Sequence, residues 1–431
     1  MFNTYKEAIS WIHGRLKFGV KPGLLRMERL MEKLGRPEKK IRAIHVAGTN
    51  GKGSTVSFIR SVLQEAGYTV GTFTSPYIIT FNERISVNGT PISDEEWRQL
   101  VNEIKPFVDE LDETDAGTVT EFEIITACAF LYFAKQSGID FVIFEAGLGG
   151  KYDSTNIVEP LLTVITSIGH DHMAILGHTI EAIAGEKAGI IKEGIPIITG
   201  VNQPEALGVI EAEAEEKQAP YQSLYETCRL FNEAALSSGE SFSLETDVKR
   251  YENIQTSLIG IHQRQNAALA ILAAEWLNRL TYAVIPEEAL RNGLKKAAWP
   301  GRFERLQERP LVYADGAHNE EGIEKLAETV KQRFAGNTIH VVFSALKDKP
   351  YQEMIKKLET AADSIHFTSF DFPRASSAKD LYDASSLANK SFDEDPDSVK
   401  KWIEQKDGAD DIIIITGSLY FISEMRKRLI S

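Results

Sequence analysis

His45-Val46-Ala47-Gly48-Thr49-Asn50-Gly51-Lys52-Gly53-Ser54-Thr55 is the stretch whose reading decides the fold. Residues 41–46 are apolar with a β-branched bias, as in a buried strand. After Gly53, residues 54–63 carry apolar side chains at helical spacing. A glycine-rich turn between strand and helix aims backbone N–H groups and the positive end of the helix dipole at one point. Lys52 adds a mobile charge there, and a phosphate suits it. The strict spacing G-x-x-x-x-G-K-[ST] is not met, because Val46 stands where the first glycine belongs and Gly53 follows the lysine. Glycine, lysine and hydroxyls in one strand–loop–helix setting still predict an ATP site at Gly48, Thr49, Asn50, Gly51, Lys52, Gly53 and Ser54.

The bulk numbers set the frame. With 431 residues, 43% of them hydrophobic, the chain has material for two cores. A net charge of −14 argues against general nucleic-acid binding, so anionic ligands must be held by locally placed cations. Two cysteines, Cys128 and Cys228, cannot build a disulfide framework or a cysteine-rich zinc site. Cys128 falls in the apolar run 124–133 and reads as core. The first residues show no apolar segment of an export signal, and no apolar run reaches the roughly 20 residues of a membrane span. A cytoplasmic protein without membrane partner is expected.

Strand and helix patterns alternate over the first 200 or so residues. Strands are predicted at 69–73, 84–87, 140–145, 161–167 and 195–199, and helices from a capping box at Ser93 toward 108, at 123–134 and at 179–191. Such alternation builds a mostly parallel sheet with helices on both faces. Residues 203–258 are more polar and read as strands with one helix, and 263–280 restores a strong helix. Regular structure breaks at Ala298-Trp299-Pro300-Gly301-Arg302, which sets expected domains at 1–297 and 298–431. Beyond the break come strands at 311–314, 338–343, 364–368 and 411–416 with helices between and after them. The acidic patch 392–397 reads as a solvated loop.

Several side chains sit where such a sheet places ligands, outside the carboxyl ends of its strands. Glu145 ends an apolar strand and is followed by Ala146-Gly147-Leu148-Gly149-Gly150, like an acid that holds Mg²⁺ against a triphosphate. Ile168-Gly169-His170-Asp171-His172 follows another strand, and Thr74-Ser75-Pro76 offers a hydroxyl after a third. Lys187 lies inside Ala184-Gly185-Glu186-Lys187-Ala188-Gly189. By composition alone such a lysine most often reaches out to solvent.

The chain resembles the folylpolyglutamate synthase / dihydrofolate synthase family of Mur-type amide ligases, most closely its members from Gram-positive bacilli. The resemblance runs nearly end to end. Besides the segments quoted above, it is carried by Phe81-Asn82-Glu83-Arg84-Ile85, Thr120-Glu121-Phe122-Glu123, His262-Gln263-Arg264-Gln265-Asn266-Ala267, Trp299-Pro300-Gly301-Arg302 and Asp315-Gly316-Ala317-His318-Asn319. It implies an α/β fold: a P-loop-containing, Mur-ligase-like central domain with a mostly parallel sheet, plus a smaller Rossmann-like α/β C-terminal domain. Lys52 and the amides around it would bind the ATP phosphates, with Asn266, Arg302 and Asp315 also contacting ATP. Ser75 and Glu145 would hold one Mg²⁺, and Glu145, His172 and Lys187 a second, with Lys187 converted to a carbamate. A carbamate replaces a costly buried cation with an oxygen ligand that hard cations prefer. His318 would lie near the incoming glutamate, and Thr120, Phe122 and Asp153 in segments around the pteroate. The stretch 16–26 would lie near the same pocket.

The implied reaction joins L-glutamate to folate or dihydropteroate, with ATP as co-substrate. ATP phosphorylates a carboxylate of the bound substrate, and the glutamate amine then displaces phosphate from the acyl phosphate. A monomer is expected. Two alternatives stand beside this reading. A peptidoglycan-precursor Mur ligase typically carries Lys-Thr-Thr or Lys-Thr-Ser, where this chain has Lys52-Gly53-Ser54, and 47 residues before Gly48 are few for a UDP-sugar domain. A P-loop ATPase switch would need neither Lys187 nor the Asp315–Asn319 segment.

Overall fold

The computed structural model describes residues 1–19, 21–406, 408 and 410–430. The chain divides into two compact units. One comprises Met1–Leu230, Leu244–Glu252 and Gln265–Ala297, the other Phe231–Ser243, Asn253–Arg264 and Ala298–Ser431.

The first unit is built on β1 (Ala43–Ala47), β2 (Val70–Phe73), β3 (Ile85–Val87), β4 (Thr90–Pro91), β5 (Phe141–Glu145), β6 (Pro160–Ile165), β7 (Ile197–Thr199) and β8 (Tyr221–Ser223). Their order in the sheet is β4-β3-β2-β5-β1-β6-β7-β8. From β2 to β8 every neighbouring pair runs parallel, and β3 and β4 add an antiparallel edge. All five residues of β1 and of β5 are buried, which is why both read as unbroken apolar runs rather than alternating ones. Register sets the strand ends level: Val46 pairs with Glu145 and with Val164, and Phe73 with Phe144. Thr74-Ser75, Glu145, Gly48 and Thr166-Ser167 therefore leave the sheet along one edge.

The helices Tyr5–His13, Leu25–Lys33, Asp94–Asp112 and Glu121–Lys135 enclose a core containing Trp97, Phe130 and Phe144. Sequence patterning located the last two, while the first two passed unread. The helix expected at 179–191 is shorter, Ile180–Ala188, because the chain turns at Gly189. The strand expected at 161–167 ends at Ile165, since Thr166 and Ser167 turn to bind the loop after β1.

β9 (Arg229–Leu236), β10 (Gly239–Glu245) and β11 (Arg250–Thr256) form a three-stranded sheet in the order β11-β10-β9. The second unit holds β12 (Glu304–Glu308), β13 (Leu311–Asp315), β14 (Thr338–Phe343), β15 (Ser364–Thr368), β16 (Lys390–Asp393) and β17 (Asp411–Thr416), ordered β12-β13-β17-β14-β15-β16. All pairs are parallel except β12–β13. The acidic patch 392–397 is thus not wholly a loop. Its first two residues end the edge strand β16, and Glu394 accepts the amides of Ala378 and Lys379 at 3.0 Å each, at the start of the helix Ala378–Ala384. An edge strand pairs on one side only, so charged side chains are tolerated and the apolar signal is lost. The same holds for β12, a charged strand that patterning overlooked.

Candidate active site

The loop after β1 is shaped by two glycines. Gly48 has φ 148° and Gly51 φ 85°. A Cβ on Gly48 would stand 2.0 Å from Thr166 Oγ1, and one on Gly51 2.4 Å from Asn266 Oδ1. Backbone torsion and close approach both demand glycine at these positions. The Gly51 contact brings Asn266 to the loop from 215 residues away in sequence. The segment after β6 holds the loop from the other side. Thr49 N donates to Ser167 O at 2.8 Å, Asn50 N to Ser167 Oγ at 3.0 Å, and Thr166 Oγ1 to Asn50 O at 2.6 Å.

Lys52 is not itself in the loop. It opens the helix Lys52–Glu65, and its Nζ folds back to donate to Gly48 O at 2.9 Å and Thr49 O at 3.2 Å. The first-turn amides of Lys52, Gly53 and Ser54 have no acceptor within their own helix, so donors and dipole converge on the space above the loop.

Next along the sheet edge, Glu145 is buried and accepts the amide of Ser75 at 3.3 Å. Across β1, Asp171 and His172 stand at the start of the short helix Met173–Leu176. His172 is left-handed at φ 52°, and its Nε2 lies 3.9 Å from Asp171 Oδ1. The His172 side chain is half exposed.

Lys187 is only 4% exposed. Burial, with the nearby positive charge of Lys52, pushes its ammonium down to about 7, against the opposing pull of Asp171, Asp153 and Glu186. The structure thus sets Lys187 in one electrostatic neighbourhood with Lys52, which composition and spacing alone did not reveal. Among the described residues no three or more His, Cys, Asp or Glu side chains gather into a metal-binding group. The donor set implied by the resemblance is of another kind: one hydroxyl, one carboxylate, one imidazole and an oxygen on a modified lysine. A buried lysine that is easily neutral fits that set, because carbamate formation consumes the neutral amine.

The residues expected around the pteroate take distinct places. Thr120 caps the helix Glu121–Lys135 in a reciprocal box with Glu123. Phe122 covers Gly147, where a Cβ would stand 2.4 Å from its ring, and packs on Phe73 at 5.9 Å between centroids. Asp153 is buried, and its carboxylate accepts the amides of Leu148 at 2.8 Å and Thr155 at 3.0 Å. It thereby holds the glycine loop that follows Glu145. Burial raises its pKa, and those hydrogen bonds oppose the rise. In the stretch 16–26, of which Val20 lies outside the described residues, Arg26 pairs with buried Glu123 at 2.8 Å and Lys21 donates to Thr118 O at 3.3 Å.

In the second unit, Asp315 ends β13 and accepts the amides of Phe303 at 2.9 Å and Ala317 at 2.9 Å. Gly316 N donates to Gly301 O at 2.9 Å, and a Cβ on Gly316 would come within 2.4 Å of Arg302 Nη1. Arg302, Asp315 and His318 are thus gathered around one backbone turn. His318 Nδ1 lies 2.8 Å from Gly316 O. A carbonyl only accepts, so Nδ1 is the donor in this contact.

Residues 46–274 match the Mur ligase middle domain, and residues 301–419 the Mur ligase, glutamate ligase domain. The chain is 74% identical to the dihydrofolate synthase/folylpolyglutamate synthase of Bacillus subtilis, over 100% of both chains. Among solved structures, the Mycobacterium tuberculosis folylpolyglutamate synthase complexed with ADP superposes at TM-score 0.90 with 29% identity, covering 99% of this chain and 98% of that one. An FPGS–AMPPCP–folate complex superposes at 0.85 with 34% identity, covering 99% and 100%.

Proposed function

The chain belongs to the folylpolyglutamate synthase / dihydrofolate synthase family of Mur-type ligases, which ligate glutamate to folates with ATP, and from that premise we propose how its own residues share the work. The acceptor is a folate or dihydropteroate carboxylate. The loop amides and Lys52 orient the γ-phosphate, with Gly48, Thr49, Asn50, Gly51, Gly53, Ser54 and Asn266 shaping the nucleotide site, and Arg302 and Asp315 as further nucleotide contacts. The substrate carboxylate attacks the γ-phosphorus, the bond to ADP breaks, and an acyl phosphate forms. The α-amine of L-glutamate then attacks the acyl carbon and phosphate leaves. His318 stands near the incoming glutamate.

Ser75 and Glu145 would hold one Mg²⁺, and Glu145, His172 and carbamylated Lys187 another. When bound, these ions would neutralise charge on the transferring phosphoryl group. Thr120 and Phe122 border the pteroate, with Asp153 keeping the adjoining loop in shape. The single observation that carries this assignment is Lys187, buried within the charge field of Lys52. No helix among the described residues is long and apolar enough to cross a membrane.

The test is purified protein with ATP–Mg²⁺ and labelled glutamate, offered dihydropteroate in one tube and tetrahydrofolate in another. ATP consumption that needs both glutamate and a pterin acceptor is the expected result. Turnover independent of both would instead mark an ATPase switch.

A further inference from the structure

Directly after the Glu145 strand end, the chain runs through Gly147–Lys151 and touches the carboxyl end of the Lys187 helix. Lys151 N donates to Glu186 O at 2.7 Å. The backbones are so close that a Cβ on Gly150 would stand 2.7 Å from Glu186 O and 2.8 Å from Lys187 O. A Cβ on Gly189 would meet the Lys151 Cβ at 2.4 Å. Bridging the two segments is Asn156, 5% exposed, whose Nδ2 donates to Lys151 O at 3.1 Å and to Gly189 O at 2.9 Å. Its backbone carbonyl accepts from Lys192 Nζ at 2.8 Å.

Both partners of the side-chain amide are carbonyls, which only accept. The site therefore needs two donors on one short planar group, and asparagine alone supplies them at this length. Aspartate would turn two hydrogen bonds into repulsions, and serine keeps one donor. The Oδ1 of Asn156 is buried with no hydrogen-bond partner among the described residues. An orphaned acceptor is a cost that a purely structural position would be expected to shed. Beside Asn156, Thr155 Oγ1 donates to Asp153 Oδ1 at 2.5 Å and lies 2.8 Å from His45 Nε2, which ties the same turn to β1 itself.

We propose that Asn156 is a positioning residue for the ligase reaction: its side-chain amide clips the loop after Glu145 to the end of the Lys187 helix and so sets the spacing of Glu145 and Lys187 across the phosphoryl site. The proposal rests on the assignment of Lys187 made above. Phosphoryl transfer is sensitive to displacements of an ångström, so release of the clip reduces turnover without removing a group that touches substrate.

The experiment compares full-length wild type, N156A, N156S and K187A by three readouts: kcat and KM for ATP, Mn²⁺ binding to the enzyme–ADP complex by water proton relaxation, and thermal melting. In N156A, kcat is expected to fall by about tenfold to a hundredfold. KM for ATP stays within about twofold, Mn²⁺ binds more weakly, and N156S recovers part of both losses. Wild-type kcat and Mn²⁺ affinity in N156A, with only the melting temperature lowered, overturn the proposal. If N156A does not fold, N156S carries the decision by the same readouts. Full turnover in K187A would defeat the underlying assignment instead, so the two failures are distinguishable.

Discussion

At the carboxyl end of β5, Glu145 leads into a glycine loop that lies against the helix of Lys187, whose charge is disfavoured by burial and by Lys52. At the carboxyl end of β13, Asp315 leads into an equally tight turn, but there the carboxylate is satisfied by the amides of Phe303 and Ala317. Both are acids at the end of a strand, with glycine next at Gly316 and one residue further on at Gly147. In the first region carboxylates also hold backbone amides, Glu145 that of Ser75 and Asp153 those of Leu148 and Thr155, but the buried Lys187 ammonium is an electrostatic problem that a ligand can solve. In the second the charged group is itself part of the backbone's scaffolding. Removing the Lys187 side chain should therefore act on chemistry, and removing the Asp315 carboxylate on chemistry and folding together.

The largest effect that sharpens this contrast is expected from Lys187→Ala, which should lose most turnover while keeping its fold, measured by glutamate incorporation and circular dichroism. Full activity with unmodified Lys187, seen by intact mass or density, would break the contrast. Lys52→Ala comes next. Loss of its charge from the phosphoryl site should cost about a hundredfold or more in kcat with an unchanged melting curve.

For Asp315→Ala the second region predicts a double penalty. Two buried amides lose their acceptor, which should lower stability by about 1–3 kcal/mol in a denaturant titration, alongside weaker ATP use. A purely kinetic defect would show that the two strand ends do not differ as described.

A smaller effect follows from pH. Lys187 has a folded-state pKa near 7, below its usual range. Below about pH 7 the amine is protonated in both folded and unfolded chains, so the full cost of burying the charge applies. As pH rises from there toward the unfolded lysine pKa, the folded chain sheds the proton first and the penalty is relieved. Stability of the bicarbonate-free, metal-free enzyme should thus rise from pH 7 toward alkaline values, and Lys187→Met should flatten that slope. The neutral amine is also the form that takes up CO₂, so activity after degassing at mildly acidic pH should be low and recover with bicarbonate and Mg²⁺.

The smallest effect is expected from Gly147→Ala. The added methyl meets the Phe122 ring, so KM for the folate should rise severalfold while KM for ATP holds.

Much of this was legible before any coordinates. The strand–glycine loop–helix unit at residues 43–65 announced itself because a fully buried parallel strand is continuously apolar and the turn needs glycine at Gly48 and Gly51. Glu145 could be picked out as an acid that ends an apolar run and Asp171 as part of a polar segment after a strand, whereas Asp315 was named only through the family resemblance. The edge strands β12 and β16 were not legible, because one-sided pairing leaves their charged side chains without an apolar pattern.

The sequence by itself determined the alternation of elements, the glycine loop after β1 and the family, since these depend on local periodicity, turn chemistry and motif order along the chain. Only the tertiary structure decided that Asn266 closes on Gly51, that Lys187 lies buried in the field of Lys52, and that Asp153 and Asn156 hold the loop after Glu145. Those facts are distances between residues far apart in the chain or on different elements. Burial, charge and hydrogen bonding depend on such distances, and no local pattern in a sequence records them.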